Sequence, residues 1–255
     1  MRVARVATAS GPRPCVADGA DWAVVEDAFA SPPVKTGERI PAEGATLLAP
    51  VEPTVVLGML HNSGPDDRCL PPQAFQKSAR TVVGPGAPIV VDPTKGAVKG
   101  EAELALVVGR PARNISVADA PAYVLGWTVG NDVTASDQAA LDETRTQAKN
   151  GDGFTPLGPW IETDLDALAQ ALTASVDGRV VAESSTDGLA WNPFEVFAYL
   201  TTHLTLGPGD VVLTGAPGTA FDIAPGAVAS CTVAGVGELT NPVHALELSD
   251  HHEGA

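Results

Sequence analysis

The sequence predicts an α+β protein that is rich in β-strands and carries its helices at the periphery. Short apolar runs of Val, Leu, Thr and aromatic residues recur between turn signals along most of the chain, a pattern typical of strands. The 255 residues include 26 glycines and 22 prolines, which favours frequent turns over long helices. Hydrophobic residues make up 44% of the chain, enough to build a large folded core.

The first 45 residues predict a small N-terminal domain, and residues 46–255 predict a larger main domain. Val3 to Ala7 has the pattern of a short strand, and a second structured stretch runs from Trp22 to Ala28. The segment 31–45 contains Pro, Gly and many polar residues, so it predicts a loop at the domain boundary. In the main domain we expect strands at 55–60, 88–91, 103–109, 123–130, 211–215, 228–234 and 242–248.

Helix signals are fewer. We expect a helix from about Ala135 to Thr146 and a short one that starts at Ser116. The clearest helix lies within 191–204, where Asn192 can cap the first turn and Glu195 has capping-box spacing. An apolar stripe that faces the core follows at helical spacing, formed by Phe194, Phe197, Ala198 and Thr201.

Charge and cysteine usage narrow the possible classes of function. The 15 Lys and Arg residues face 31 Asp and Glu residues, for a net charge of −16, which argues against nucleic-acid binding. No apolar run reaches the length of a membrane span or of a signal peptide. The three cysteines are far apart and form no CxxC pair, so neither a disulfide framework nor a zinc site is indicated. A reduced, cytoplasmic setting is therefore expected.

Two glutamates open the run KGEAELALVVGR at 99–110. Alternate residues of a strand share a face, so Glu101 and Glu103 project together while the following leucines point to the other face. Adjacent carboxylates repel each other unless a cation lies between them, and Mg²⁺ prefers oxygen ligands. The alternative is an exposed strand edge with two solvated glutamates.

A third carboxylate follows the apolar run at 123–130. Asp132 lies where this predicted strand ends, a position from which functional side chains often emerge, and it would complete a site of two glutamates and one aspartate. Asn131 and Asp132 could equally cap a helix. Lys149 lies in a predicted ordered loop, where it could bind an anionic substrate or a developing enolate, or could simply be solvated. The loop in GPGDVVLTGAPGTA (207–220) could offer backbone amides to a substrate carboxylate.

Five segments, in this order, make the sequence resemble the fumarylacetoacetate hydrolase family. They are GEAELALVVGR, YVLGWTVGNDVTASDQ, AKNGDGFTPLGPWI, LGPGDVVLTGAPGT and VAGVGELTNPV. The segment QAFQKSARTVVGPG (73–86) is similar to the upstream strand of the family, and the first 45 residues resemble its small variable N-terminal domain.

The resemblance implies a mixed β-sandwich roll, usually a homodimer, with Mg²⁺ or Mn²⁺ in the mouth of the roll. By position, Glu101, Glu103 and Asp132 match the metal ligands, and Lys149 matches the active-site lysine. The residues implied to bind the small oxo-acid substrate are Asp137, Gln138, Thr214 and Gly215.

The resemblance also implies a reaction class. Family members cleave C–C bonds of acylpyruvates and other β-diketo acids, or tautomerise or decarboxylate related oxo-acids. We expect a Mg²⁺-dependent C–C bond hydrolase, with an isomerase, tautomerase or decarboxylase as the nearest alternative. A non-catalytic protein that retains only the fold is the third hypothesis.

Three positions depart from the family pattern. Where many members read NYxxH, this chain reads MLHNSGPDD (59–67), so that the usual His corresponds to a position near Gly64 and His61 falls where Tyr is expected. Ser136 replaces the Arg of NDVSARD, which removes a bidentate donor for a substrate carboxylate. Ala216 replaces the second Thr of TGTP.

His61 is nevertheless the candidate catalytic base. It opens a turn-rich loop, HNSGPDDRCLPP, which could move over the metal mouth. Asp66 or Asp67 could orient the imidazole for general-base catalysis near neutral pH. The alternative is a histidine whose ring only caps the end of a strand.

Overall fold

Strands make up most of the regular structure, as the apolar runs predict. A computed structural model describes residues 1–247. In chain order the strands are β1 (Arg2–Thr8), β2 (Gly11–Asp18), β3 (Asp21–Val25), β4 (Lys35–Pro41), β5 (Val56–Leu60), β6 (Gln73–Lys77), β7 (Val82–Val83), β8 (Ile89–Val91), β9 (Val98–Val108), β10 (Val124–Asn131), β11 (Thr134–Ala135), β12 (Thr155–Glu162), β13 (Ala171–Val176), β14 (Arg179–Ser185), β15 (Val211–Leu213), β16 (Ala220–Ile223), β17 (Val228–Val233) and β18 (Gly237–Ala245).

The strands form two sheets. In the larger sheet the order is β4-β3-β2-β1-β12-β10-β9-β15-β5-β6, with β7, β11 and β16 paired off this path. The order of the smaller sheet is β14-β13-β17-β18-β8. Most neighbours are antiparallel, while β15–β5, β12–β7 and β18–β8 are parallel pairs. The prediction of a β-rich α+β fold with mixed sheets is confirmed, and the predicted strand at 242–248 ends at Ala245, with residue 248 outside the described residues.

The N-terminal strands extend the larger sheet. β1 pairs antiparallel with β12, where Arg2 lies opposite Glu162, so the N-terminal region is joined to the main sheet by strand pairing. The predicted loop at 31–45 is wrong in part, because this segment contains β4, which pairs with β3. Nearly all residues of β4 are exposed, and such an edge strand lacks the alternation of apolar and polar residues that reveals a strand in sequence.

The helices are short and lie outside the sheets: α1 (Ser136–Ala139), α2 (Thr146–Lys149) and α3 (Pro193–His203). The prediction of one continuous helix at 135–146 is wrong. The carboxylate of Asp142 accepts hydrogen bonds from the backbone of Thr144 and Gln147, and Arg145 has a φ of 63°. Side chains such as Asp that bond to nearby backbone groups compete with helix formation, so the chain makes a turn here.

The other two helix predictions had different outcomes. The segment that starts at Ser116 forms a turn and then a single 3-10 turn at Ala120–Tyr123, because β10 begins at once afterwards. The prediction for α3 is confirmed: the Asn192 side chain accepts from two backbone amides and Glu195 returns the capping-box bond. Within residues 1–247, no helix is both long and apolar enough to cross a membrane.

β9 separates two environments and thereby positions the site. Leu104, Leu106 and Val108 are fully buried in the core between the two sheets. Ala105 and Val107 belong to a second apolar cluster on the opposite face of the strand. The two glutamates that precede them share this second face, since side chains alternate along a strand. The acidic pair therefore lies at one end of the larger sheet, as predicted.

Candidate metal centre and active site

Three carboxylates meet where β9 and β10 lie side by side. In the pairing of these strands, Gly130 lies opposite Glu103, and the chain then leaves β10 so that the backbone amide of Asp132 donates to the carbonyl of Glu101 at 3.0 Å. Each of the three carboxylates offers an oxygen that lies within 4.8 Å of the others. Glu103 and Asp132 are buried, and Glu101 is partly exposed. The structure thus brings together the three residues predicted as metal ligands.

Lys149 joins this cluster from the end of α2. Its Nζ lies 2.6 Å from Oδ2 of Asp132 and 2.9 Å from Oε2 of Glu101, and it packs 4.6 Å from the ring centroid of Phe75. The structure places Lys149 beside the carboxylates, and its role toward a substrate stays a prediction. The local structure was predicted wrongly, because Lys149 ends a short helix and does not lie in a loop.

A second lysine in the cluster was missed by the sequence interpretation. Lys77 is completely buried, and its Nζ donates to Oδ1 of Asp132 at 2.5 Å and to the carbonyls of Val133 and Phe154 at 3.2 and 2.8 Å. These three acceptors use the full donor capacity of an ammonium group. A signal was present: Lys77 stands two residues after buried Phe75 in β6, so the two-residue period of a strand places it on the inner face.

The cluster shifts the pKa values of its members in opposite directions. Burial raises the pKa of Glu103, and the neighbouring Asp132 and Glu101 carboxylates raise it further. Burial alone would raise the pKa of Asp132, but Lys149 and Lys77 outweigh it and hold the pKa below its usual value. The pKa of Lys149 is raised, because Asp132 and Glu101 overcome the effect of its burial. Asp132 and Lys149 are therefore a stable ion pair, whereas the raised pKa of Glu103 favours its protonated form unless a cation lies beside it.

The donor set fits a hard divalent cation. Glu103 is 1% exposed and accepts one hydrogen bond, from the backbone amide of Gly215 at 2.7 Å. A buried carboxylate next to two others is costly without a cation, and carboxylate oxygens are the ligands that Mg²⁺ and Mn²⁺ prefer. We conclude that Glu101, Glu103 and Asp132 form an acidic triad suited to such a metal.

His61 directly precedes Asn62, which lies beside Gly215, and the His61 side chain has no hydrogen-bond partner among residues 1–247. Its side chain is exposed, and its backbone has a φ of 55°. Asp67, which was expected to orient the imidazole, instead accepts from the backbone amide of Ser63 at 2.8 Å. The next residue, Asn62, is buried and bonds to the carbonyls of Trp191 and Thr214. The loop is thus anchored beside the triad, but the expected His–Asp pairing is absent from the described part of the chain.

Comparison with known proteins identifies the family. A sequence model described as Fumarylacetoacetate (FAA) hydrolase C-terminal matches residues 46–244. The chain belongs to the fumarylacetoacetate hydrolase family. A second model, described as Rv2993c-like, N-terminal, matches residues 1–50.

Relatives within the fumarylacetoacetate hydrolase family match most of this chain. Protein Rv2993c of Mycobacterium tuberculosis is 33% identical over an alignment of 264 positions that covers 95% of this chain and 98% of that protein. The crystal structure of 5-carboxymethyl-2-hydroxymuconate delta-isomerase from Mycobacterium smegmatis has a TM-score of 0.91 and 36% identity, and covers 96% of this chain and 100% of its own. Oxaloacetate tautomerase FAHD2B from human mitochondria is 34% identical over an alignment of 191 positions that covers 70% of this chain and 60% of that protein.

Enzymes of the fumarylacetoacetate hydrolase family include isomerases, tautomerases and hydrolases, and this chain is an enzyme of the same family. The hypothesis of a protein that retains only the fold is therefore set aside.

Thr214 and Gly215, which the family resemblance implied for substrate binding, both bond to residues of β9 at the triad. The hydroxyl of Thr214 donates to the carbonyl of Leu104 at 2.7 Å and is buried. The amide of Gly215 holds the carboxylate of Glu103. A direct role of either residue in substrate binding stays a prediction.

Asp137 and Gln138, the other two residues that the family resemblance implied for substrate binding, lie in α1, directly after β11. Asp137 accepts from the backbone amide of Ala97 at 3.2 Å, and Gln138 donates to the carbonyl of Lys95 at 3.1 Å. Gln138 also lines a cavity together with Val98, whose side chain is on the face of β9 opposite the triad. Their role in substrate binding stays a prediction as well.

We expect Gly215→Ala to weaken Mg²⁺ binding by roughly 10- to 100-fold, the range typical of residues that orient metal ligands. Gly215 has a φ of 113°, and a Cβ at this position would lie 2.3 Å from the carbonyl oxygen of Asn62. The turn must therefore shift, and its amide would leave Glu103. Gly218→Ala is the matched control, because its φ is 75° and no atom lies within 4 Å of its added Cβ. Calorimetric titration with Mg²⁺ measures both affinities, and equal values for the two variants contradict this role.

Proposed function

We propose that this protein is a divalent-metal-dependent tautomerase or isomerase that interconverts the keto and enol forms of a small 2-oxo acid. The proposal rests on a contrast in burial and hydrogen bonding between the groups around Lys149 and the candidate base His61. The groups that stabilise negative charge are buried and interlocked, with Lys149 between Asp132 and Glu101. The expected water-activating group, His61, is exposed and without a hydrogen-bonded partner in residues 1–247. Keto–enol exchange needs this charge stabilisation and a proton acceptor that solvent water can supply, whereas C–C bond hydrolysis also needs a water activated as a nucleophile.

The triad would hold the metal. We propose Mg²⁺, with Mn²⁺ as the alternative, bound by one oxygen each of Glu101, Glu103 and Asp132. When bound, the cation supplies Lewis-acid polarisation of the substrate oxo group. Lys77 fixes the orientation of Asp132, and the amide of Gly215 fixes that of Glu103, so the ligand set is preorganised.

Lys149 would stabilise the charge that forms in the reaction. Its ammonium group uses two N–H bonds on Glu101 and Asp132, and no oxygen within residues 1–247 accepts the third. When the carbon next to the oxo group transfers its proton to a solvent water molecule, the C–H electron pair forms the new C=C bond and negative charge develops on the substrate oxygen, which solvent then protonates to give the enol. An ammonium group whose raised pKa keeps it protonated can donate its free N–H bond to that oxygen.

The relatives support the same chemistry by their names. One is named an oxaloacetate tautomerase and another a delta-isomerase, and both names denote a rearrangement within one molecule, without cleavage of the carbon chain. Hydrolysis, the leading expectation from the sequence, stays a prediction that the following experiment also tests.

The test follows two substrates in the presence of Mg²⁺. The loss of enol absorbance of oxaloacetate measures tautomerisation, and pyruvate release from an acylpyruvate, coupled to lactate dehydrogenase, measures cleavage. We expect faster enol loss, no pyruvate release above background, and no activity after treatment with EDTA. Stoichiometric release of pyruvate together with a second acid contradicts the proposal and favours a hydrolase.

We also propose that the enzyme is a homodimer and acts in the cytoplasm, as the family resemblance and the reduced cysteines suggest. Cys15 and Cys231 are buried and Cys69 is exposed, all as free thiols. Sedimentation equilibrium measures the oligomeric state, and a monomer at micromolar concentration contradicts a stable dimer.

A further inference from the structure

Two donors reach the Glu101 carboxylate, and both bond to the same oxygen. Oε2 accepts from Nζ of Lys149 at 2.9 Å and from the hydroxyl of Thr134 at 3.1 Å. A carboxylate oxygen has about two lone-pair sites, so these two bonds use the acceptor capacity of Oε2. Within residues 1–247, no group donates to Oε1. Glu101 therefore presents one free oxygen to a cation.

The other two carboxylates of the triad are held differently. Asp132 accepts from Lys77 on Oδ1 and from Lys149 on Oδ2, and Glu103 accepts one backbone amide on Oε2, so each of these oxygens keeps a lone pair. Both residues are 1% exposed, whereas the side chain of Glu101 is 26% exposed. Packing thus restrains Asp132 and Glu103, and the orientation of Glu101 depends more on its donors.

Strand pairing places Thr134 beside Glu101. Thr134 lies in β11 opposite Lys99 of β9, and opposite residues of an antiparallel pair share a face of the sheet. Glu101 is two residues further along β9 and points to the same face. The Thr134 hydroxyl also lies 3.2 Å from the carbonyl of Asp132, but its single hydrogen favours the charged acceptor. The bond to Glu101 is therefore built into the pairing of β9 with β11.

The number of oxygens that a carboxylate offers distinguishes Mg²⁺ from Ca²⁺. Mg²⁺ requires a near-octahedral shell at about 2.0–2.1 Å, and a bidentate carboxylate spans too narrow an angle for that shell. Ca²⁺ takes about six to eight oxygens at about 2.3–2.6 Å and readily binds both oxygens of one carboxylate. A glutamate with one free oxygen suits the smaller cation and withholds a ligand from the larger one.

We propose that the Thr134 hydroxyl is a positioning group that makes the metal centre select Mg²⁺ over Ca²⁺, by keeping Glu101 a monodentate ligand. This inference rests on the metal-binding part of the proposed function and adds the discrimination between cations. Without the hydroxyl, a lone pair on Oε2 becomes free, and the partly exposed carboxylate can turn both oxygens toward a larger cation. Thr134 acts through Glu101 and does not itself bind the metal.

The test measures the dissociation constants of Mg²⁺ and Ca²⁺ by calorimetry, in the intact protein and without substrate. Thr134→Val removes the hydroxyl and keeps the β-branched shape that suits a strand, and Thr134→Ser retains the hydroxyl. Thr219→Val is the matched control. The Thr219 hydroxyl is buried and also bonds to β9, but it donates to the backbone carbonyl of Ala102 at 2.7 Å and not to a carboxylate.

We expect Thr134→Val to weaken Mg²⁺ binding by about 10-fold, the low end of the range for residues that orient metal ligands, and to bind Ca²⁺ at least as tightly as wild type. Thr134→Ser and Thr219→Val should keep the wild-type ratio of the two constants. The proposal is overturned if Thr134→Val keeps that ratio, if it weakens both cations equally, or if either of the other variants shifts the ratio as much. If Thr134→Val does not fold, Thr134→Ala must show the same shift relative to Thr134→Ser.

Crystals soaked with Ca²⁺ provide a second readout. In Thr134→Val we expect both oxygens of Glu101 at about 2.3–2.6 Å from the cation, and in wild type only one. A bidentate Glu101 in wild type, or a monodentate one in the variant, contradicts the role of Thr134.

The design separates this inference from the proposed function. If wild type binds Mg²⁺ but does not convert oxaloacetate, the proposed reaction is wrong, and the ratio of dissociation constants still decides the role of Thr134. If wild type converts oxaloacetate and Thr134→Val keeps the wild-type ratio, the reaction stands and only the role of Thr134 fails. If wild type binds neither cation, both proposals are wrong.

Discussion

Asp132→Ala should both abolish divalent-cation binding and lower the free energy of unfolding by about 3–5 kcal/mol, the usual cost of removing one partner from a buried ion pair. Asp132 is the shared counterion of Lys77 and Lys149, whose Nζ atoms lie 2.5 and 2.6 Å from its two oxygens. Without it, two buried ammonium groups lose their main compensation. Urea unfolding in the absence of metal measures the stability loss, and calorimetry measures Mg²⁺ affinity.

The sequence alone suggests that removing any one of the three carboxylates leaves the fold intact, because repulsion within the triad is relieved. The structure restricts that expectation to the glutamates. Glu103→Gln is the matched control, because the glutamine side chain still offers an oxygen to the amide of Gly215. The substitution also removes a buried carboxyl group, whose pKa is raised by burial and by two neighbouring carboxylates. We expect Glu103→Gln to lose Mg²⁺ binding and to be at least as stable as metal-free wild type. Equal stability losses in Asp132→Ala and Glu103→Gln contradict the central role of Asp132.

Lys149→Met should lower kcat by about 10²- to 10³-fold at saturating Mg²⁺, the effect of removing one preorganised donor to a developing oxyanion. The methionine side chain has a similar length and fills the space beside Phe75, while Asp132 keeps its bond to Lys77. The stopped-flow rate of enol loss from oxaloacetate measures the effect.

Lys77→Met is the control for this prediction. All three donors of Lys77 are used by protein acceptors, so its side chain has no N–H bond left for a substrate. We expect Lys77→Met to lose roughly 3 kcal/mol of stability and to weaken Mg²⁺ binding, while kcat at saturating metal falls at least tenfold less than in Lys149→Met. Equal losses of kcat mean that Lys149, like Lys77, only positions Asp132.

The acidic triad was predictable because its signals are local. Glu101 and Glu103 are two residues apart in a strand whose alternate positions are apolar, and that period places both on one face. Asp132 follows an apolar run that is recognisable as a buried strand. The family resemblance then placed the three residues together, and the described strands confirm the arrangement.

The features that were missed depend on partners distant in sequence or on side-chain geometry. Lys77 is 55 residues from Asp132, and only the folded sheet shows that the two meet. The break between α1 and α2 depends on how the Asp142 carboxylate bonds to backbone amides, which competes with a helical pattern of ordinary propensity.

The most direct test of the proposed metal centre is anomalous diffraction from a crystal grown with Mn²⁺. We expect one anomalous peak within the acidic triad, roughly 2.0–2.2 Å from an oxygen of each carboxylate, as is usual for small divalent cations. A peak at any other place, or no peak at saturating Mn²⁺, contradicts the metal centre and the reaction built on it.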